Sequence, residues 1–213
     1  MPLKPICVIP ARLASSRFPR KLLAPFQGYP IIEHVWRRAL LVEAFERVVV
    51  ATCDKEIYDL VRSNGGEVIM TKGEHPNGTS RVAEAIESID CSHVVLLQGD
   101  EPLILPRHLK AMVDAMAERL DCKMLNAVGP IESFDELMQV SSVKCTVASN
   151  NRIIYCFRKS PAISKANDQA KYIRKLLGLI AFERDFMVEL STLPETIVCQ
   201  TESIEQMKFI ENG

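Results

Sequence analysis

The sequence has 213 residues, of which 47% are hydrophobic, and its 26 basic and 27 acidic side chains leave a net charge of −1. A chain of this size and composition builds its own core, and its charge balance excludes a general attraction to nucleic acid or anionic membrane, so any basic site must be local. Seven scattered cysteines, odd in number and without a C-x-x-C pair, read as small buried hydrophobes in a reducing compartment and exclude a disulfide framework or zinc site.

The first ten residues hold one lysine and no long apolar stretch, so no signal peptide is expected. No run approaches the length of a membrane span, and a cytoplasmic location is the expectation. Ile6–Ile9 is a continuous apolar run that predicts a buried strand. It feeds a loop with Arg12, Arg17, Arg20 and Lys21, two serines (Ser15, Ser16) and no carboxylate. Pro30–Val42 predicts a helix with Ile31, Val35, Ala39 and Val42 on one face, and Trp36, the only tryptophan, is expected to pack against the sheet. Arg47–Thr52 is a β-branched strand; Asp54 is placed to cap a helix over Lys55–Asn64 that stops at Gly65-Gly66. Glu67–Thr71 predicts a strand, Thr79–Ile89 a helix, His93–Leu97 a strand, and Pro106–Leu120 a longer helix with proline in its first turn.

This alternation implies an α/β fold, a mostly parallel sheet with helices on both faces, and the continuous apolar strands agree with burial on both sides. Ligands of such sheets bind beyond the carboxyl ends of the strands, the end from which the loops after Ile9 and Leu97 leave. The second half differs. Ser142–Ala148 and Arg152–Phe157 flank the turn signal Ser149-Asn150-Asn151 and predict a hairpin. Leu176–Phe182 predicts a strand, and Glu183–Ser191 and Ser203–Glu211 predict helices. One domain is expected over residues 1–213, with residues 124–182 including a smaller hairpin-containing lobe and a boundary near Met124–Ser133.

Three segments carry chemistry. Arg12, Ser15, Ser16, Arg17, Arg20 and Lys21 can surround a polyphosphate, because arginine offers forked donors, lysine a mobile charge, and loop N–H groups further donors. The bland alternative is a solvated basic loop. The segment lacks the Walker G-x-x-x-x-G-K-S/T and the G-x-G-x-x-G patterns, which removes support for Walker-type kinases and Rossmann dehydrogenases. In Leu96–Pro102 (LLQGDEP) a buried strand ends in Gly99-Asp100-Glu101, and Asp100 suits Mg²⁺, which takes one or two carboxylates plus phosphate oxygens; the alternative is an acidic turn. In Thr71–Arg81 (TKGEHPNGTSR), Asn77-Gly78 marks a turn, and Asn77 or Thr79 can cap the helix that follows.

In this order the motifs resemble the 3-deoxy-manno-octulosonate cytidylyltransferases, the CMP-Kdo synthetases. The family pattern I-P-A-R-x-x-S-S/T-R-x-P-x-K-x-L stands here as Ile9-Pro10-Ala11-Arg12, Ser15-Ser16-Arg17, Pro19, Lys21 and Leu23. V-A-T-D appears, with one insertion, as Val50-Ala51-Thr52-Cys53-Asp54, and H-x-S-G-T-x-R as His75, Asn77, Gly78, Thr79 and Arg81. Q-G-D-E-P is intact at Gln98–Pro102, S-V-K stands at Ser142–Lys144, and Y-F-S-R-x-P-I is loosely matched over Tyr155–Pro161. E-x-x-E-Q-L appears as Glu202, Glu205, Gln206 and Met207.

The resemblance spans nearly the whole chain and implies CMP transfer from CTP to a 2-keto sugar acid, for lipopolysaccharide precursor synthesis, in a nucleotide-diphospho-sugar-transferase-like fold. It implies that Arg12 and Lys21 meet the triphosphate, together with Ala11, Ser15 and Ser16. Asn77, Gly78, Thr79 and Arg81 would lie near the nucleotide, and Gln98, Arg158, Glu205 and Gln206 near the sugar acid. Asp100 would hold Mg²⁺, and the smaller lobe would help to form a homodimer.

Three departures accompany the match. The family continues past a segment like Glu211-Asn212-Gly213 into V-D-T-P-E-D, whose aspartate would be a second metal ligand; no residue of the present sequence is assigned that role. Leu176 and Ile180 replace a histidine and a tyrosine of the family's R-H-I-G-I-Y-A-Y stretch, which removes two polar contacts and leaves room for a sugar acid other than Kdo, such as an amino analogue. Arg20 replaces a glycine and either strengthens phosphate binding or stiffens the loop. The rival readings are a nonulosonic-acid cytidylyltransferase and a non-catalytic nucleotide-binding homologue. Of the four histidines, His34 and His93 read as structural or exposed, and no role follows for His75.

Overall fold

The computed structural model describes residues 3–14, 18–73, 75–160, 166–169 and 171–212. In chain order the elements are β1 (Pro5–Ala11), a 3-10 turn (Lys21–Leu23), β2 (Pro25–Phe26), β3 (Tyr29–Pro30), α1 (Ile31–Ala39), β4 (Arg47–Thr52), α2 (Lys55–Ser63) and β5 (Glu67–Met70). Then come α3 (Gly78–Ala85), β6 (His93–Leu97), α4 (Pro106–Glu118), β7 (Met124–Gly129), α5 (Phe134–Met138), β8 (Lys144–Val147) and β9 (Ile153–Phe157). The last are α6 (Ala166–Gln169), β10 (Ile173–Glu183), α7 (Arg184–Thr192), α8 (Ile197–Glu202) and α9 (Glu205–Glu211). The chain forms two compact units, Met1–Leu125 with Gly178–Ser191 and Asn126–Leu177 with Thr192–Gly213.

In the first unit β5, β4, β1 and β6 lie side by side and all pair in parallel. All seven residues of β1 are buried, as a strand covered on both faces requires. The second half of β10 runs antiparallel to β6, with Ile180 opposite Leu96 and Phe182 opposite Val94. The expected mostly parallel sheet is therefore present, with an antiparallel strand beside β6.

Two local expectations are corrected. The buried stripe of α1 is Ile32, Val35, Trp36 and Ala39, whereas Ile31 is half-buried and Val42 lies beyond the helix. Spacing of three, four and seven from Ile32 follows the helix more closely than the chosen set. Asp54 occupies the N-cap position of α2 but makes no side-chain cap bond there. Its Oδ2 instead accepts the Leu13 N–H at 2.8 Å. Other signals hold: Pro106 opens α4, and α2 ends before Gly65, whose φ of +80° suits glycine. Trp36 is buried and lies against Gly66 at the start of β5.

In the second unit β8 and β9 form the expected antiparallel hairpin, with Cys145 opposite Cys156 and Asn151 in the turn at φ 66°. Ile173–Lys175 of β10 pair antiparallel with β8. One cluster joins Cys145, Cys156, Cys199, Ile204 and Met207; another joins Leu137, Phe157 and Ile173. Lys144 is fully buried, and its ammonium donates to the Gln139 and Ser142 carbonyls at 2.6 and 2.8 Å. Burial, and then the nearby Arg158, push its pKa below the ordinary lysine value. The expected helix from Ser203 begins at Glu205, because Ser203 adopts φ 54° and terminates α8. All seven cysteines are free thiols, and no described helix is long and apolar enough to cross a membrane.

Candidate active site

Strands β1 and β6 are parallel neighbours, with Val8 opposite Leu96, so the chain leaves Ala11 and Leu97 at the same edge of the first unit. Close backbone approach brings three segments together there. A Cβ on Gly99 would lie 3.1 Å from the Pro10 carbonyl and from Ile32 Cδ1, and one on Gly78 would lie 3.2 Å from Pro10 Cγ. The result is a cleft of about 760 Å³, within the range of small-molecule sites.

Ala11, Arg12 and Lys21 line the cleft from the loop after β1. Asn77, Gly78 and Arg81 line it from the start of α3, and Gln98, Gly99 and Asp100 from the end of β6. Lys21 Nζ stands 2.6 Å from Asp100 Oδ2, with both side chains partly exposed. Arg12 is exposed, and among the described residues no carboxylate pairs with it. Arg81 is buried; its Nη1 donates to the Thr71 hydroxyl and to the Lys72 carbonyl. Three cations thus face one cleft carboxylate, a balance suited to an anion rich in oxygen acceptors.

Asn77 caps α3: its Oδ1 accepts the Ser80 N–H at 2.9 Å. Thr79, expected near the nucleotide, is buried in the first turn and is not among the cleft-lining residues. Ser15 and Ser16 lie outside the described residues. His75 also lines the cleft, which its sequence position alone gave no means of assigning. Its Nε2 is 2.6 Å from Glu84 Oε2 and its Nδ1 3.3 Å from the Ser80 hydroxyl. Burial pushes the Glu84 carboxyl up, but the Lys72 N–H and His75 outweigh it and hold Glu84 below the ordinary glutamate value.

Gln98 depends on a glycine that the sequence reading left without a role. Its N–H donates to the Gly178 carbonyl at 2.9 Å. A Cβ on Gly178 would lie 2.8 Å from Gln98 Cγ and 2.9 Å from Glu101 Oε1, so any larger residue would push the Gln98 side chain from this placement. The signal was present in the lone glycine inside a strand pattern. Ile180 is buried in β10 opposite Leu96.

The other residues implied for the sugar acid belong to the second unit. Arg158 donates from Nε to the Glu202 carbonyl at 3.0 Å, from Nη2 to the Ser203 carbonyl at 3.0 Å, and from Nη1 to the Val140 carbonyl at 3.3 Å. Gln206 Nε2 donates to Asn126 Oδ1 at 3.2 Å, and Glu205 opens α9. Leu176 packs against the Cys145–Cys156 cluster.

Among the described residues no group of three or more His, Cys, Asp or Glu side chains is placed to hold a metal ion. Asp100 alone, partly exposed and on the cleft wall, fits a magnesium ion that takes its other ligands from a polyphosphate and water.

The chain is similar to proteins of known activity over nearly its whole length. A 3-deoxy-manno-octulosonate cytidylyltransferase of Leptospira biflexa is 37% identical over 97% of this chain and 83% of its own length. One from Escherichia coli is 36% identical over 99% and 85%. The structure of CMP:2-keto-3-deoxy-manno-octonic acid synthetase complexed with CTP superimposes with a TM-score of 0.91 at 35% identity, covering 99% of this chain and 86% of that one. A 4-diphosphocytidyl-2C-methyl-D-erythritol synthase from Anaerococcus prevotii, at 10% identity and a TM-score of 0.64, shares the fold alone. Residues 6–213 match the sequence profile described as cytidylyltransferase, and the chain belongs to that family, among the 3-deoxy-manno-octulosonate cytidylyltransferases.

Proposed function

We propose that the chain transfers CMP from CTP to Kdo, releasing pyrophosphate, in the supply of a lipopolysaccharide precursor. The observation that carries this reading is the meeting of Arg12, Lys21 and Asp100 in one cleft at the ends of β1 and β6. The anomeric hydroxyl of the sugar loses its proton to solvent as its oxygen bonds to the α-phosphorus, the bond from that phosphorus to the bridging oxygen breaks, and pyrophosphate departs. Arg12, directly after β1, and Lys21, at the head of the 3-10 turn, offset the charge that builds on the phosphate oxygens. Lys21, paired with Asp100 at 2.6 Å, passes to the triphosphate when CTP binds. Asp100, released, would hold Mg²⁺, which when bound supplies charge neutralisation and polarises phosphate oxygens.

Ala11, Asn77, Gly78 and Arg81 are assigned to the nucleotide. Gln98, on the cleft wall, is assigned to the sugar acid. Free cysteines suit a reducing compartment, and the proposal places the enzyme in the cytoplasm, as a homodimer. Leu176 and Ile180 stand where the family pattern has histidine and tyrosine, and this sequence departure favours a second reading, a close 2-keto relative of Kdo as acceptor. Pyrophosphate release with CTP, Mg²⁺ and a panel of 2-keto sugar acids tests both. Fastest turnover with Kdo supports the first reading and fastest turnover with another acid the second. CTP binding without turnover on any acid would leave a non-catalytic homologue.

A further inference from the structure

The geometry points to Asp54 as a positioning residue for the two cations of the CTP cradle, a role that rests on the function proposed above. Aspartate at the N-cap of a helix ordinarily accepts an N–H of the first turn. Asp54 has the extended backbone of an N-cap, φ −98° and ψ 117°, yet makes no such bond. Its carboxylate reaches from the β4–α2 junction to Leu13, whose N–H it accepts at 2.8 Å. Asp54 itself is steadied by its own N–H, which donates to Thr52 Oγ1 at 3.1 Å. Locally the same Oδ2 accepts only the weak Cys53 thiol donor at 3.7 Å; a local rule broken with so little local compensation marks a residue serving something else, and here that is the cleft wall, which Leu13 lines and Asp54 does not.

A second tie comes from the same helix start. Arg20 sits at φ 59° and ψ 24°, a left-handed conformation uncommon for residues other than glycine. Its guanidinium pairs with Glu56 in the first turn of α2. The Arg20 N–H in turn donates to the Leu13 carbonyl at 3.1 Å. Leu13 is therefore held on both sides, its N–H by Asp54 and its carbonyl by Arg20. Arg12 directly precedes the first tie and Lys21 directly follows the second. Asp54, with Glu56 as a weaker and more exposed aid, thus sets where both cations stand while keeping its own charge on a backbone amide and off the cleft wall. Arg20, in the glycine position of the family motif, stiffens this stretch through Glu56.

The test measures CTP affinity by calorimetry and KM for CTP and for the acceptor by kinetics, in the full chain and in Asp54→Ala, Asp54→Asn and Arg20→Gly. Asp54→Ala is expected to weaken CTP binding and raise its KM roughly tenfold, as for loss of a hydrogen bond to a charged group, with the acceptor KM unchanged. Asp54→Asn keeps an acceptor oxygen and should recover most of that loss. Arg20→Gly should raise the CTP KM only about two- to threefold, since exposed ion pairs contribute little. A merely structural Asp54 would lower the melting temperature without separating the two KM values. CTP affinity in Asp54→Ala within twofold of the unmodified chain, or no recovery in Asp54→Asn, would overturn the inference alone. Failure of the unmodified chain to bind CTP would overturn the proposed function and the inference with it. If Asp54→Ala does not fold, Asp54→Ser, which keeps an N-cap side chain but is shorter than the carboxylate that reaches Leu13, carries the measurement, and a CTP KM within twofold of the unmodified chain in that variant would overturn the role.

Discussion

Lys21 and Arg158 are both cations taken from family motifs, yet the structure gives them opposite surroundings. Lys21 holds one partner, the cleft carboxylate Asp100, and its side chain is partly exposed. It can change partners cheaply, as a donor that serves a passing phosphate must. Lys21→Ala is expected to lower turnover roughly 10²-fold or more, the effect of losing one preorganised donor, and near-normal rates would remove Lys21 from the mechanism. Arg158 instead gives Nε and both terminal nitrogens to three backbone carbonyls. One of these belongs to Ser203, which stands at positive φ between α8 and α9. Lysine cannot reproduce that planar fork, so Arg158→Lys should destabilise the fold by about 1–3 kcal/mol. Thermal melts beside acceptor kinetics decide its role. A lower melting temperature with unchanged acceptor KM identifies a strut, and the reverse pattern a sugar contact.

The end of α2 shows two adjacent glycines required for different reasons. Gly65 has φ +80° with open space around it, so its constraint is backbone conformation. A Cβ on Gly66 would lie 2.6 Å from Val61 Cγ1 and 2.7 Å from the Trp36 ring, both buried, so its constraint is packing. Asparagine tolerates the left-handed region. Gly65→Asn should therefore leave the melting temperature nearly unchanged, while Gly66→Asn should cost about 1–3 kcal/mol or more by overpacking. Equal losses in the two variants would contradict this division. The sequence marked both glycines only as a stop signal, since a clash with Trp36, thirty positions earlier, leaves no local trace. The same limit explains what else was legible. β1, β4 and β6 could be read because strands buried on both faces are continuous apolar runs. The antiparallel placement of β10 beside β6 could not, because strand order depends on long-range pairing. β7, with four half-buried and one exposed of its six residues, offered no clear period. In the site, the motifs carried Arg12, Lys21, Asn77 and Asp100 to the cleft. Asp54 stands at the N-cap of α2 as read, but the use of its side chain was not legible because its partner, Leu13, is distant in sequence.

Across the whole molecule the nearly balanced charge hides carboxylates that the fold uses in ionised form. Glu84, in the first unit, is raised by burial but lowered further by the Lys72 N–H and His75. Glu136, in the second, is lowered by the Glu132 N–H and by its ion pair with Lys175. Both folded-state values fall below the ordinary 4.5. As the pH drops through that interval the unfolded chain takes up protons that the folded chain still refuses, and stability falls with pH. Their stabilisation is fully present above the ordinary value and is lost as acid titrates the folded carboxylates. Glu84→Gln and Glu136→Gln should therefore melt below the unmodified chain at pH 7, and the gap should shrink as the pH is taken below 4.5. Melting curves of the three proteins at neutral pH and at successive steps below 4.5 measure it. A gap that stays constant across that range would mean that the two carboxylates contribute shape or neutral hydrogen bonds, and that the acid sensitivity of the fold arises elsewhere.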